Sequence, residues 1–232
     1  MIERDTKLQI TDEPAIAYST CYRLPFLSLF HADCMEIMKQ YPDKYFDLAL
    51  VDPPYGIDIE TSGTYFKQFK TKGWDNATPN NEYFEQLKRV SKNQIIWGGN
   101  YFLEYLGSAK CFLIWDKMIG EGMSFADGEM AWTSFKKPTR IKKLLSRSEN
   151  GKIHPTQKPI DLYDWVITKY VERNAKILDT HFGSGSIALA VDKANRLDKM
   201  NLHLTAVEID KEYIDKAIKR ISESIKQGTL SF

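Results

Sequence analysis

Asp52-Pro53-Pro54-Tyr55 gathers a carboxylate, a carbonyl and an aromatic face at one point of the chain. Pro54 has no N–H, so nothing on the next peptide competes for what the Pro53 carbonyl accepts. Together these groups suit holding a flat base by an exocyclic amine. Such an amine is a poor nucleophile because its lone pair is delocalised into the ring, and it must pyramidalise before it can attack a methyl group. Two acceptors on its two N–H bonds, the Asp52 carboxylate and the Pro53 carbonyl, favour that shape. The carboxylate also stabilises the positive charge that grows on nitrogen. The proton can leave afterwards, so no strong base is needed. Tyr55 offers a ring for the base to stack on, and a base buried in a duplex must first be flipped out. The bland alternative for the same four residues is a turn, for which Asp-Pro-Pro is good chemistry, with Tyr55 merely packed.

Phe182-Gly183-Ser184-Gly185-Ser186 follows the apolar signal Lys176-Ile177-Leu178-Asp179. A glycine turn after a strand can cradle a nucleotide-like ligand. Glu208 ends the next strand signal, where an acidic side chain would meet a ribose diol. The third position of a strict Gly-x-Gly-x-x-Gly is Ala188, which counts against a nicotinamide-dependent dehydrogenase. Asp179 would repel a pyrophosphate but suits a cationic sulfonium. A tight strand–helix turn with solvated acids remains the alternative. The third cluster, His154-Pro155-Thr156-Gln157-Lys158-Pro159, also reads as a helix entry with Thr156 as cap.

These clusters must be positioned by elements. Residues 1–24 read as an irregular arm. Strands are expected at 27–30, 46–51, 94–97, 111–115, 129–132, 177–178 and 204–207, and helices at 34–41, 81–90, 101–106, 159–173, 186–195 and 211–225. Strands alternating with helices argue for a mostly parallel sheet covered on both faces, with the sites at the carboxyl ends of the strands. Residues 56–79 form a long polar loop of a length that is usually functional or disordered. Residues 135–152 break the pattern with a basic run.

The chain has 232 residues and a formal net charge of +1, enough for one large domain and too neutral for a surface that binds nucleic acid everywhere. Any nucleic-acid contact needs a local basic patch. Cys21, Cys34 and Cys111 are odd in number and widely spaced, which disfavours a disulfide framework or a zinc site and makes a reducing cytoplasm the default. No stretch is long enough to span a bilayer, and the charged first residues do not read as a signal peptide.

Together the three clusters resemble the amino-methyltransferases of DNA, from about Leu29 to the C-terminus. DPPY comes first, FGSGS late, and HPTQKP just before the cofactor turn. That order resembles the permuted β group. The resemblance implies a Rossmann-like, S-adenosylmethionine-dependent α/β fold, with a seven-stranded mostly parallel sheet, one antiparallel strand and helices on both faces. A single methyltransferase domain over 1–232 follows, with S-adenosylmethionine as cofactor and DNA as partner. Asp52, Pro53, Pro54 and Tyr55 match the catalytic motif. Asp179, His181, Phe182, Gly183, Ser184 and Gly185 match the cofactor turn, Glu208 the ribose acid, Asp33 the contact to the cofactor adenine, and His154 and Thr156 the segment along its methionine part. The usual turn reads Asp-Pro-Phe-x-Gly-Ser-Gly; here Thr180 and His181 stand for the Pro and Phe. An aspartate rather than a serine at position 52 leans the resemblance toward adenine N6 over cytosine N4.

The basic run occupies the slot where that family places target recognition. Lys136, Lys137, Arg140, Lys142, Lys143 and Arg147 would contact phosphates, and Arg140 or Arg147 a guanine edge. A solvated charged loop is the commoner fate of such runs. The slot is short, and β-group relatives are often dimers, so a homodimer would be useful. Lys67 and Lys70 sit among aromatics in the loop 56–79, which would close over the flipped base. Cytosine N4 as target, and a non-catalytic nucleic-acid-binding module with a vestigial cofactor pocket, stay open as alternatives.

Overall fold

Leu48 and Leu50 turn to one face of the strand Phe46–Val51 and Ala49 and Val51 to the other, and all four are buried. A strand buried on both faces needs helices on both sides. The structure, a computed structural model, describes residues 3–5, 20–57, 78–119, 126–145 and 152–229. The strands in chain order are β1 (Glu3–Asp5), β2 (Cys21–Leu24), β3 (Leu27–His31), β4 (Phe46–Val51), β5 (Ser91–Trp97), β6 (Cys111–Asp116), β7 (Gly128–Thr133), β8 (Arg140–Lys143), β9 (Lys176–Asp179) and β10 (His203–Glu208). The helices are α1 (Cys34–Gln40), α2 (Asn81–Val90), α3 (Leu103–Leu106), α4 (Ile160–Tyr170), α5 (Ser186–Asp198) and α6 (Lys211–Thr229).

One face of the sheet packs Leu29, Leu50, Ile95, Ile177 and Leu204 against Val166 of α4, Val191 of α5 and Ile214 of α6. The other packs Phe30, Val51, Ile96, Leu178 and Val207 against Ile37 of α1 and Phe84 and Leu87 of α2. Neighbouring residues of one strand thus serve opposite cores, as the two-residue period requires. Asp33 caps α1 by accepting from the Met35 N–H at 2.8 Å, and Asn80 caps α2 by accepting from Tyr83 N–H at 3.1 Å.

The sheet order is β1-β2-β3-β10-β9-β4-β5-β7-β6-β8. β3, β10, β9, β4 and β5 run parallel, while β7 lies antiparallel between β5 and β6. The seven strands from β3 to β6 are the expected Rossmann-like methyltransferase sheet. Three short edge strands bring the total to ten among the described residues.

The extra strands correct two expectations. Residues 1–24 are not an irregular arm throughout, because β1 and β2 form an antiparallel edge in the register Glu3↔Arg23 to Asp5↔Cys21. Nor is 135–152 wholly irregular, because β8 pairs with β6 from Leu113↔Arg140 to Asp116↔Lys143. Both edges are short and charged, so neither carries an apolar period to be read. The helix expected at 101–106 divides into a 3₁₀ turn, Gly99–Tyr101, and the single-turn α3. Most of the 56–79 loop, including Lys67 and Lys70, lies outside the described residues, as does Arg147. No helix among the described residues is long and apolar enough to cross a membrane.

Candidate active site at the carboxyl ends of the strands

The five central parallel strands each end on a candidate residue. In sheet order these are Asp33 just past β3, Glu208 on β10, Asp179 on β9, Asp52 just past β4 and Gly98 just past β5. Chain order runs outward in opposite directions from β9 and β4, so a crevice opens between those two strands. Asp179 stands on one side of it and Asp52 on the other.

The glycine turn joins β9 to α5. Gly183 and Gly185 both have positive φ, +51° and +71°, and Gly185 stands at the N-cap of α5. Glu208 is buried and shapes the turn: its carboxylate accepts from Gly183 N–H at 2.8 Å and from Asp210 N–H at 2.9 Å. Asp179 is buried and accepts from His181 N–H at 3.0 Å. Burial pushes the Asp179 carboxyl up to about 8 and raises that of Glu208 as well. A cation placed here would favour both ionised forms, so the donor set fits a positively charged ligand.

Two substitutions in the turn are linked. Thr180 Oγ1 lies 2.6 Å from Tyr83 Oη and 2.9 Å from His181 Nδ1, a polar chain that a proline could not make. Burial holds His181 down at about 4, so its imidazole is a neutral flat ring at neutral pH. It packs edge-on against Tyr83 with centroids 5.6 Å apart. Phe182 is buried beneath the turn, and the Ser184 and Ser186 hydroxyls lie 3.1 Å apart.

The segment 154–158 touches both sides of the crevice. The His154 ring lies 3.6 Å from where a Gly183 Cβ would stand and 4.4 Å from the Tyr213 ring, and Thr156 Oγ1 is 3.1 Å from His154 Nδ1. Four residues on, Lys158 is only 3% exposed and reaches Asp52. Its Nζ donates to Asp52 Oδ2 at 2.5 Å and lies 3.0 Å from Glu129 Oε2 and 3.2 Å from Tyr55 Oη. Lys117 closes the chain at 2.9 Å from Glu129 Oε1. Tyr55 Oη donates to the second Asp52 oxygen at 2.6 Å.

Burial alone would lower the Lys158 pKa, but the Asp52 and Glu129 carboxylates more than offset it, and the net direction is up. Burial alone would raise Glu129, yet Lys158 and Lys117 hold it down at about 2. Asp52 is raised by burial, which Lys158 counteracts and Glu129 reinforces. Glu129 and Lys117 were not among the residues singled out from the sequence, and Lys158 was named only as a member of the third cluster, with no role of its own. A glutamate opening the otherwise apolar run Met130-Ala131-Trp132, and a lysine between Gln157 and Pro159, are the only signals they leave.

Tyr55 has a stacking partner in the structure. Its ring stacks on Tyr101, with centroids 5.2 Å apart and planes 17° from parallel. Gly98, at φ +66°, lets the backbone after β5 come so close that a Cβ there would sit 2.2 Å from the Tyr55 ring.

The basic residues do not form one patch. β8 climbs with β6 and brings Lys142 and Lys143 level with Trp115 and Asp116, at the carboxyl end of the sheet. Arg140 pairs lower, opposite Leu113. Lys136 and Lys137 follow the end of the antiparallel β7 and so lie at the other end of the sheet. Lys137 Nζ donates to the Lys169 carbonyl in the last turn of α4 and sits 4.8 Å from the Tyr170 ring centroid.

The family model N6_N4_Mtase, described as DNA methylase, matches residues 96–219. That span takes in Glu129, Lys158, the glycine turn and Glu208. The chain is similar to the type II methyltransferase M.HinfI of Haemophilus influenzae, 26% identical over 252 residues that cover 84% of this chain and 68% of that one. M.BglII of Bacillus subtilis is 23% identical over 253 residues, with the same coverage of 84% and 68%. Among solved structures, the M1.HpyAVI–SAM complex superimposes with a TM-score of 0.57 at 20% identity, covering 84% of this chain and 98% of that one. The PvuII DNA methyltransferase (cytosine-N4-specific) does so at 0.58 and 13% identity, covering 94% and 96%. Those likenesses agree with the seven-strand core, and the family match covers the turn and its acids; this chain belongs to the N6/N4 family of S-adenosylmethionine-dependent DNA methyltransferases.

Proposed function

We propose that the chain methylates the N6 amine of adenine in DNA, with Asp52, Pro53 and Tyr55 holding the flipped base. The observation that carries this reading is the adjacency of Asp52 to the glycine turn, across the crevice between β4 and β9, with 154–158 touching both. S-adenosylmethionine supplies an electrophilic methyl group on a sulfonium. Asp179, Glu208 and Asp33 offer acids to that cation and its nucleoside, with Gly183, Ser184 and Gly185 as the floor and His181, Phe182, His154 and Thr156 around it. Asp52 and the Pro53 carbonyl accept the two amine N–H bonds. In the transfer the S–CH3 bond would break with its electron pair left on sulfur as the nitrogen lone pair forms the new N–C bond; the positive charge would pass from sulfur to nitrogen beside the Asp52 carboxylate, and the proton would leave afterwards to water. The base takes the place that Tyr101 occupies on the Tyr55 ring. Lys142 and Lys143, at the carboxyl end of the sheet, would contact phosphates, with Arg140 lower on the face that Lys142 shares. A second copy of the chain would widen this short DNA footprint.

Incubating a plasmid with protein and S-adenosylmethionine, then analysing the digested nucleosides by mass, tests the reading. N6-methyladenine is the expected product. N4-methylcytosine would move the target to the base on which the PvuII enzyme acts. No labelled base at all, with cofactor and DNA both bound, would leave only the binding module.

The acidic turn adds a pH dependence. The carboxyl of Asp179 titrates near 8 in the empty protein, and a bound cation lowers it, so binding expels a proton. Affinity for S-adenosylmethionine therefore rises with pH, by at most about tenfold per unit, and levels off above about 8. Stability of the empty fold runs the other way: the contribution of this group is full below the ordinary value of 3.8 and is lost as pH climbs to about 8. Calorimetric titration between pH 6 and 9 should show the rise, and Asp179→Asn should flatten it.

A further inference from the structure

Asp52 is not a bare carboxylate. Each of its oxygens is engaged, Oδ1 by the Tyr55 hydroxyl at 2.6 Å and Oδ2 by the Lys158 ammonium at 2.5 Å. An ammonium beside the reacting amine is at first sight harmful, because positive charge must grow on that amine. The structure answers this with Glu129, which lies 3.0 Å from Lys158 and 2.9 Å from Lys117. Two carboxylates and two ammonium groups alternate along one line, Asp52–Lys158–Glu129–Lys117, and the charges cancel. Glu129 comes from the antiparallel strand β7, Lys117 from the end of β6, Lys158 from the entry to α4 and Asp52 from β4. Four separate elements converge to build the row, and removing one member leaves a buried charge unmatched.

We infer that Lys158 and Glu129 are positioning residues for Asp52: Lys158 keeps the carboxylate ionised and turned into the crevice, and Glu129 cancels the ammonium so that the pocket accepts a cation on the target nitrogen. The inference deepens the methyltransfer reading and rests on it. Lys158 has a second carboxylate to hold when the amine arrives, so an N–H of the base can take over at Asp52 Oδ2 without stranding the ammonium. The Trp97 ring, centroid 5.4 Å from Lys158 Nζ, gives the ammonium a further favourable surface. Among the described residues the other ionisable groups facing this row are Tyr55, Tyr83, Tyr163, Asp179 and Lys152.

The test is the acidic limb of the pH profile of kcat/KM, in which Asp52 must be ionised. Lys158→Met removes the neighbouring cation and should move that limb to higher pH by about one unit or more, with part of the lost activity returning at alkaline pH. Lys158→Arg keeps the charge and should restore the wild-type limb. Glu129→Gln removes a neighbouring anion and should move the limb to lower pH while lowering kcat at its plateau. Shifts in opposite directions are not expected of two variants that merely loosen the fold. Carboxyl titration by NMR in protein labelled at aspartate reads the same displacements without turnover. It decides the matter even where no methyl transfer occurs; absent transfer by the wild type would sink the enzymatic reading alone. Unmoved limbs, or limbs displaced in the same direction, with an unchanged carboxyl titration would overturn the positioning role.

Discussion

Alanine at position 52 will lower methyl transfer by about 10³-fold or more, while S-adenosylmethionine still binds within a small factor of the wild type. On the proposed reading the carboxylate faces the charge that develops on nitrogen, and no other carboxylate among the described residues stands at the end of β4. The acids proposed for the cofactor, Glu208 and Asp179, stand on β10 and β9, on the far side of the crevice, and make no hydrogen bond to Asp52. Asp52→Asn separates charge from volume: it keeps the shape and an acceptor but leaves Lys158 with Glu129 alone, and it should fall nearly as far. Single-turnover transfer of a labelled methyl group measures the first effect and calorimetry the second. Undiminished turnover in either variant would remove Asp52 from the mechanism.

Gly98→Ala should cost about 10–100-fold in kcat/KM. Its added methyl would lie 2.2 Å from one Tyr55 ring atom and 2.4 Å from another. Backbone and ring cannot both stay, and the ring is what moves, taking its hydroxyl off Asp52. Overpacking of this kind also lowers stability by about 1–3 kcal/mol. Gly107→Ala is the control for backbone strain alone. Its φ of +71° and ψ of −168° lie in a region almost confined to glycine, and nothing lies within 4 Å of the added atom, so it carries strain of about 1–3 kcal/mol, at least that of Gly98, without touching the site. Parallel melting curves and kinetics of the two variants separate backbone strain from displacement of Tyr55. Equal activity in both would show that the close approach of Gly98 to Tyr55 does not matter for turnover.

The parallel core was legible because its strands are buried on both faces and therefore written as apolar runs. Phe46–Val51 was bounded to the residue. Asp52, Asp179 and Glu208 were legible for a related reason: each follows or ends such a run, and strand ends in this architecture face the ligand. β1 was not, since Glu3-Arg4-Asp5 has no apolar period and pairs with β2, a partner some twenty residues away. The row of charges beside Asp52 was hidden for the same physical reason. Lys158 lies 106 positions from Asp52 in the chain, and nothing local to either residue records that they meet. Basic composition over 135–152 was visible, but the reversal of β7, which sends Lys136 and Lys137 to the end of the sheet opposite the crevice, was not.

Among the described residues β8 is the outermost strand on its side of the sheet and pairs with β6 alone. Four strand steps separate it from β4, and the acids of the crevice stand on β4 and beyond. On the proposed reading, residues 140–145 carry DNA contacts on a strand apart from the acids of the crevice, yet their partner strand β6 leads into Lys117 at the far end of the charge row beside Asp52, so a change of DNA contact there is coupled to the reaction through that lysine.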